Sequence, residues 1–146
     1  MPIERRMAIL VVEDDPYHYE LIERSVRSLE KANVRYDLFW VKDGEEALDF
    51  LFRRKNYAQA PRPNLVLLDL RLPKKSGLEV LEEVKKDEKL RKIPVVVLTV
   101  STDEEDMVRA YDSGAAGFLQ KPASPEEFDR LLTTVWEYWR IAKLPD

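Results

Sequence analysis

The sequence predicts an α/β fold, a doubly wound five-stranded parallel sheet with five helices. Three observations predict it. Short apolar runs alternate with longer stretches of helical spacing. The runs are nearly continuous in Val, Ile and Leu, the composition of strands covered on both faces. Polar residues with chemical potential follow those runs: Glu13-Asp14 after the first, Asp69 after the third, Thr99 after the fourth and Lys121 after the fifth.

The elements follow in chain order. Residues 7–12 form the first strand, and Tyr19, Ile22, Val26 and Leu29 recur at three- or four-residue intervals as one face of the first helix. Residues 38–41 and 44–52 give the second strand and helix. The stretch 53–64, with Pro61 and Pro63, breaks the alternation and reads as a long loop before the strand at 65–68. Leu78, Leu81, Val84 and the apolar stem of Lys85 mark the third helix. Residues 95–98 and 117–119 are the last two strands, and 103–113 and 124–139 the last two helices. Ser124-Pro125-Glu126-Glu127 is a strong helix start, with Ser at the cap, Pro at the first position and acids in the first turn. Thr102 or Asp103 can cap the preceding helix in the same way. Right-handed crossovers then bring every strand's carboxyl end to one edge of the sheet, where ligands bind.

Length and composition bound the function. A chain of 146 residues suits one domain over 1–146, with an aromatic helical extension over about 132–146. A net charge of −4 gives no global attraction to nucleic acid or to anionic membrane. The chain has no cysteine and a single histidine, His18, so thiol chemistry and histidine-rich metal sites are excluded. The polar residues 1–7 lead into residues 8–12, too short a run for a membrane span and without a signal-peptide cleavage pattern. The expected location is the cytoplasm.

The strand-end residues form one constellation. Glu13, Asp14 and Asp69 at neighbouring strand ends would repel one another in a partly desolvated cleft. Mg²⁺ offsets that repulsion, because it takes oxygen ligands octahedrally and keeps several waters. Asp14 and Asp69 suit direct ligation, Glu13 ligation through water, and a backbone carbonyl just after Asp69 supplies a further oxygen. Asp69 also suits the part of a nucleophile towards phosphorus, since carboxylates can form acyl phosphates. Lys121 and the metal would neutralise the transferring phosphoryl oxygens, with the Thr99 hydroxyl donating to another. Taken singly, each residue has an ordinary reading as a cap, a turn residue, a strand-end Thr or a surface Lys. Their joint occurrence, in order, at four strand ends of one sheet edge favours the site.

The segments Val11-Val12-Glu13-Asp14-Asp15, Leu67-Leu68-Asp69-Leu70-Arg71-Leu72-Pro73, Gly77, Val97-Leu98-Thr99 and Gly117-Phe118-Leu119-Gln120-Lys121-Pro122 resemble bacterial response-regulator receiver domains across nearly the whole chain. The resemblance implies a phosphoacceptor at Asp69, an acidic pair in Glu13 and Asp14, and a backbone-carbonyl metal ligand at Arg71. It implies phosphate binding by Thr99 and Lys121, a switch aromatic at Phe118, and a cis bond before Pro122. The loop with Tyr57 and Pro61-Arg62-Pro63, the segment Leu70-Arg71-Leu72-Pro73-Lys74-Lys75-Ser76-Gly77, and the tail Trp136-Glu137-Tyr138-Trp139 closing in Leu144-Pro145 resemble single-domain regulators paired with phytochrome-type histidine kinases. The implied partner is a sensor histidine kinase. Val100 departs from the small residue many receivers carry after the Thr, which bears on access to the phosphoryl group.

In such domains Thr99 would move to bond the phosphoryl oxygen and Phe118 would turn into the vacated space, so that phosphate selects one of two packings. With no DNA-binding or enzymatic domain expected after the last helix, output is expected through protein contact. Leu132, Val135, Trp136 and Trp139 form a helical stripe that Tyr138, Ile141 and Leu144 extend. Trp136, Tyr138, Trp139 and Leu144 are therefore expected at a dimer or partner surface, with a homodimer the first expectation. Three rivals stand beside this reading. A phosphohydrolase of the haloacid dehalogenase type needs a second Asp two residues after the nucleophile, where this chain has Arg71. A flavodoxin-like cofactor carrier needs a phosphate loop after the first strand, where Glu13-Asp14-Asp15 would repel the ligand. A phosphate sink or relay intermediate would use the same chemistry.

Overall fold

A computed structural model of the chain describes residues 5–29 and 34–144, the side chains of Arg5, Leu29 and Val34 excepted. The expectations for residues 1–4, for Pro145 and for the Leu29 side chain fall outside the described residues. The strands are β1 (Arg5–Val12), β2 (Val34–Val41), β3 (Leu65–Leu68), β4 (Val95–Thr99) and β5 (Gly117–Gln120). They pair in parallel in the order β2-β1-β3-β4-β5. The helices are α1 (Pro16–Leu29), α2 (Gly44–Leu51), α3 (Gly77–Lys86), α4 (Glu104–Asp112) and α5 (Pro125–Ile141).

The apolar runs are continuous because each strand feeds two cores. Leu10, Val12, Val66, Leu68, Val95 and Val97 point into the core shared with α2 and α3. Their immediate neighbours Ile9, Val11, Leu65, Leu67, Val96 and Leu98 point into the core under α1 and α5. The two-residue period of a strand sends successive side chains to opposite faces, so both phases must be apolar.

The helix starts follow their capping chemistry. Asp43 and Ser76 accept from the amides of Glu46 and Glu79. Asp103, rather than Thr102, caps α4 through the Glu105 amide, and Ser124 caps α5 through that of Glu127. These bonds satisfy amides that have no partner inside the helix. The long loop carries a single 3-10 turn, Lys55–Tyr57, and the Tyr57 hydroxyl donates to Glu46 Oε2 at 2.6 Å. The Lys121–Pro122 bond is trans, since no cis peptide bond occurs among the described residues. This corrects the expected cis bond, and trans is the isomer an X–Pro amide favours by about 0.5–1 kcal/mol.

Strand β1 has β2 on one side and β3 on the other, and its neighbouring crossovers run to opposite faces. The crevice at the carboxyl ends of β1 and β3 is therefore the fold's ligand position. Glu13 continues β1 with its amide on the Val41 carbonyl, and Asp69 continues β3 with its amide on that of Val12, each at 3.0 Å. Gly77 lets the start of α3 close on this edge: a Cβ there would stand 2.2 Å from the Asp69 carbonyl oxygen.

Candidate functional site

The constellation expected from the strand ends assembles. Carboxylate oxygens of Glu13, Asp14 and Asp69 lie within 4.8 Å of one another. Glu13 and Asp69 are buried, while Asp14 is exposed at the mouth. From β5, Lys121 crosses the crevice and donates Nζ to Glu13 Oε1 at 2.5 Å and to Asp69 Oδ2 at 2.8 Å. A buried ammonium between two buried carboxylates offsets charge that the site could not otherwise hold. Burial pushes the Glu13 carboxyl up to about 7, with Lys121 and the Asp15 amide opposing the rise and the Asp69 charge adding to it.

The other oxygens are held by the backbone. Asp15 donates its amide to Glu13 Oε2 at 3.0 Å, and Arg71 donates its amide to Asp69 Oδ1 at 3.2 Å. Trp40 on β2 donates Nε1 to the Glu13 carbonyl at 2.7 Å and stacks on Tyr19. The donor set is all oxygen, carboxylate-rich and open at Asp14, which fits a hard divalent cation such as Mg²⁺. Glu13, Asp14 and Asp69 are the residues that would hold it.

Thr99 ends β4 fully buried, and its Oγ1 accepts from the Ser101 amide at 3.2 Å. Phe118 is half-buried on β5 against the α2–α3 core, and its amide donates to the Tyr111 hydroxyl at 3.1 Å. Val100 stands beside Thr99 with 56% of its surface exposed.

The aromatic extension divides. Trp136 is 1% exposed, packed under α1, and donates Nε1 to Ser25 Oγ at 2.9 Å. This corrects its assignment to a partner surface: the indole fills the core, and its one polar atom finds a buried hydroxyl. Trp139 and Leu144 are half-buried against the same core. Tyr138 and Ile141 are the exposed apolar residues, at 59% and 72%. Beside them a groove of about 310 Å³ runs between β5 and α5, lined by Val96, Leu119, Leu131, Val135, Tyr138 and Trp139.

Sequence reasoning missed two groups at this edge. His18, in the first turn of α1, brings Nδ1 within 3.0 Å of Lys121 Nζ. Burial and the Lys121 charge lower its pKa, while Asp15, Asp69 and Asp14 oppose them. The available signal was its spacing, four residues after Asp14 at the start of a helix that leaves the site. The second group is the Arg71 side chain with Ser101 and Asp106, which joins the loop after Asp69 to α4. Nothing in local sequence pairs those three.

The chain is similar to known proteins. Residues 9–133 match the response regulator receiver domain family. The probable methanogenesis regulatory protein FilR2 of Methanothrix harundinacea is 44% identical over 131 residues, 90% of this chain and 82% of that protein. The response regulator Rcp1 of Synechocystis is 36% identical over 131 residues, 90% of this chain and 87% of that one. The crystal structure of the phosphorylated cyanobacterial phytochrome response regulator RcpA superposes with a TM-score of 0.92 at 37% identity, covering 97% of this chain and 99% of RcpA. The Mn²⁺-bound form of Rcp1 gives 0.90 at 35%, over 96% and 99%. With its sheet order, its strand-end carboxylates and its crossing lysine, the chain belongs to the response regulator receiver domain family.

Proposed function

We propose that this receiver takes a phosphoryl group from a sensor histidine kinase onto Asp69 and passes the signal on by protein contact through the surface of α5. The carrying observation is Asp69 at the end of β3, buried, 2.8 Å from Lys121 and grouped with Glu13 and Asp14. An Asp69 carboxylate oxygen attacks phosphorus, an O–P bond forms, and the donor's bond to phosphorus breaks with its electron pair leaving on the donor. Mg²⁺ held by Glu13, Asp14, Asp69 and the Arg71 carbonyl would supply charge neutralisation to the phosphoryl oxygens. Lys121 donates to one of those oxygens in place of Asp69 Oδ2, and the Thr99 hydroxyl donates to another. Thr99 then loses its present environment beside the Ser101 amide, and Phe118 turns towards the vacated space. The chain's chemistry extends no further than its own phosphorylation and slow loss of the group.

The structural relatives supporting a phytochrome-type kinase include the phytochrome response regulator RcpA, the bacteriophytochrome response regulators RtBRR and AtBRR, and a response regulator of R. palustris described in red light signalling. The apolar groove beside exposed Tyr138 and Ile141 supports a homodimer through α5. No helix among the described residues is long and apolar enough to cross a membrane. The receiver family match supports a cytoplasmic place, and the net charge of −4 supports action without nucleic acid. The test is incubation with a small acyl phosphate and Mg²⁺. One phosphoryl group should appear by mass, map to Asp69, require Mg²⁺, and vanish in Asp69→Asn. Equal labelling of that variant would overturn the assignment.

A further inference from the structure

We infer that His18 is a positioning residue for phosphoryl transfer, aiming the Lys121 ammonium at the phosphoacceptor. The inference deepens the assignment of Asp69 above and rests on it. Lys121 Nζ carries three hydrogens and meets three partners: Glu13 Oε1 at 2.5 Å, Asp69 Oδ2 at 2.8 Å and His18 Nδ1 at 3.0 Å. An ammonium only donates, so Nδ1 holds a lone pair towards it and the ring's own proton sits on Nε2. The carboxylate oxygens of Asp15 and Glu13 stand 3.5 and 4.0 Å from the same Nδ1. With Nδ1 unprotonated these are neighbours, not hydrogen bonds.

The geometry gives the third partner a use. The Lys121 side chain is 2% exposed, so water cannot stand in for a lost acceptor. When Asp69 takes the phosphoryl group, the bond from Nζ to Oδ2 must pass to a phosphoryl oxygen. Glu13 and His18 do not change in that step. Two fixed acceptors on a tetrahedral ammonium fix the direction of its remaining N–H. One acceptor alone would leave the ammonium free to pivot about the Glu13 bond. The imidazole is itself held, stacked on the buried Phe128 of α5 with centroids 5.8 Å apart and planes at 29°.

The covalent step is unchanged. An Asp69 oxygen bonds to phosphorus while the acyl phosphate's O–P bond breaks, its electron pair leaving on the carboxylate product. His18 gains and loses no proton in it. What His18 contributes is alignment of a charge that matters most as the phosphoryl group transfers, so it should act on the maximal rate and not on donor binding.

The experiment compares wild type, His18→Phe and His18→Asn in phosphorylation by acetyl phosphate with saturating Mg²⁺, followed by intact mass over a range of donor concentrations. His18→Phe keeps a ring against Phe128 and removes the acceptor. His18→Asn places a carbonyl oxygen near the position of Nδ1 and removes the ring. His18→Phe should lower the maximal rate constant about tenfold, the scale of one lost charge-assisted hydrogen bond, with the half-saturating donor concentration unchanged. His18→Asn should remain within about threefold of wild type by the same reckoning. A Phe variant as fast as wild type overturns the inference. So does an Asn variant as slow as the Phe variant, because the ring and not the acceptor would then matter. If wild type takes no phosphoryl group on Asp69, the assignment beneath the inference fails first, and that result is distinct from either of these.

Discussion

Arg71, two residues past Asp69, donates Nη2 to Asp106 Oδ2 on α4 at 2.8 Å. The same oxygen accepts from the Ser101 hydroxyl at 2.9 Å, and the Ser101 amide sits on Thr99 Oγ1 at 3.2 Å. The loop after Asp69, the Thr99 hydroxyl and the first turns of α4 thus share one hydrogen-bonded chain. A displacement of Thr99 or of the loop would reach the start of α4 through these bonds.

Asp106→Ala should uncouple α4 and lower global stability by no more than about 1–2 kcal/mol, the loss falling on the buried Ser101 hydroxyl that Asp106, itself 14% exposed, accepts from. The Arg71 side chain is 62% exposed, and an ion pair of that exposure contributes under about 1 kcal/mol. Hydrogen exchange at the amides of residues 107–113 should nevertheless accelerate, because Ser101 and Arg71 lose their shared acceptor. Unchanged exchange there would show that α4 is held by its apolar contacts alone.

Tyr57 ties the stability of the fold to pH. Burial and the hydrogen bond to Glu46 push its hydroxyl up to about 12. A folded-state value raised above the ordinary 10 contributes stability that is complete below pH 10 and is lost as pH rises towards about 12. Tyr57→Phe should cost about 1 kcal/mol at pH 7, the ordinary worth of such a bond. The gap between wild type and variant in denaturant titrations should close across that alkaline window. A gap that stays constant from pH 7 to 12 would contradict the role given to this hydroxyl.

Most of the architecture was legible from the sequence because strand and cap signals are local. Two-faced strands leave no polar phase, so the runs at 65–68 and 95–98 stood out, and Ser124 and Asp103 announced their helices. The site was legible because parallel topology brings strand ends together, so Glu13, Asp14, Asp69, Thr99 and Lys121 needed only chain order to be grouped. Trp136 and Tyr138 were not separable in this way. They are two residues apart on one helix, and which of them faces the core depends on where α5 lies against α1. His18 escaped notice for a similar reason: its contact with Lys121 spans 103 positions and two elements.

The division of the aromatic extension can be measured. Trp136→Phe should destabilise the monomer by about 1–3 kcal/mol, since it shrinks a packed side chain and strands the Ser25 hydroxyl. Tyr138→Ala and Ile141→Ala should leave unfolding within about 0.5 kcal/mol of wild type, as exposed positions do. Under the dimer proposal the same two substitutions shift sedimentation towards monomer. A large stability loss from Ile141→Ala would place that residue in the fold instead.

Lys121 provides the sharpest contrast between fold and function. It is the ammonium that two buried carboxylates share, and Lys121→Met removes it while keeping the length of the stem. Breaking a buried ion pair from one side leaves the other charge uncompensated and costs about 3–5 kcal/mol. In chelator the variant should therefore melt well below wild type. Mg²⁺ bound as proposed would offer the remaining charge a partner, and a ligand that binds only the folded state stabilises it by mass action. Saturating Mg²⁺ should then raise the variant's melting temperature by more than it raises that of wild type, narrowing the gap. Phosphorylation of Asp69 should stay slow in the variant even with Mg²⁺ present, because the donor to the phosphoryl oxygen is still missing. If Mg²⁺ stabilised both proteins equally, the carboxylates that Lys121 bridges would not be the ones that hold the metal.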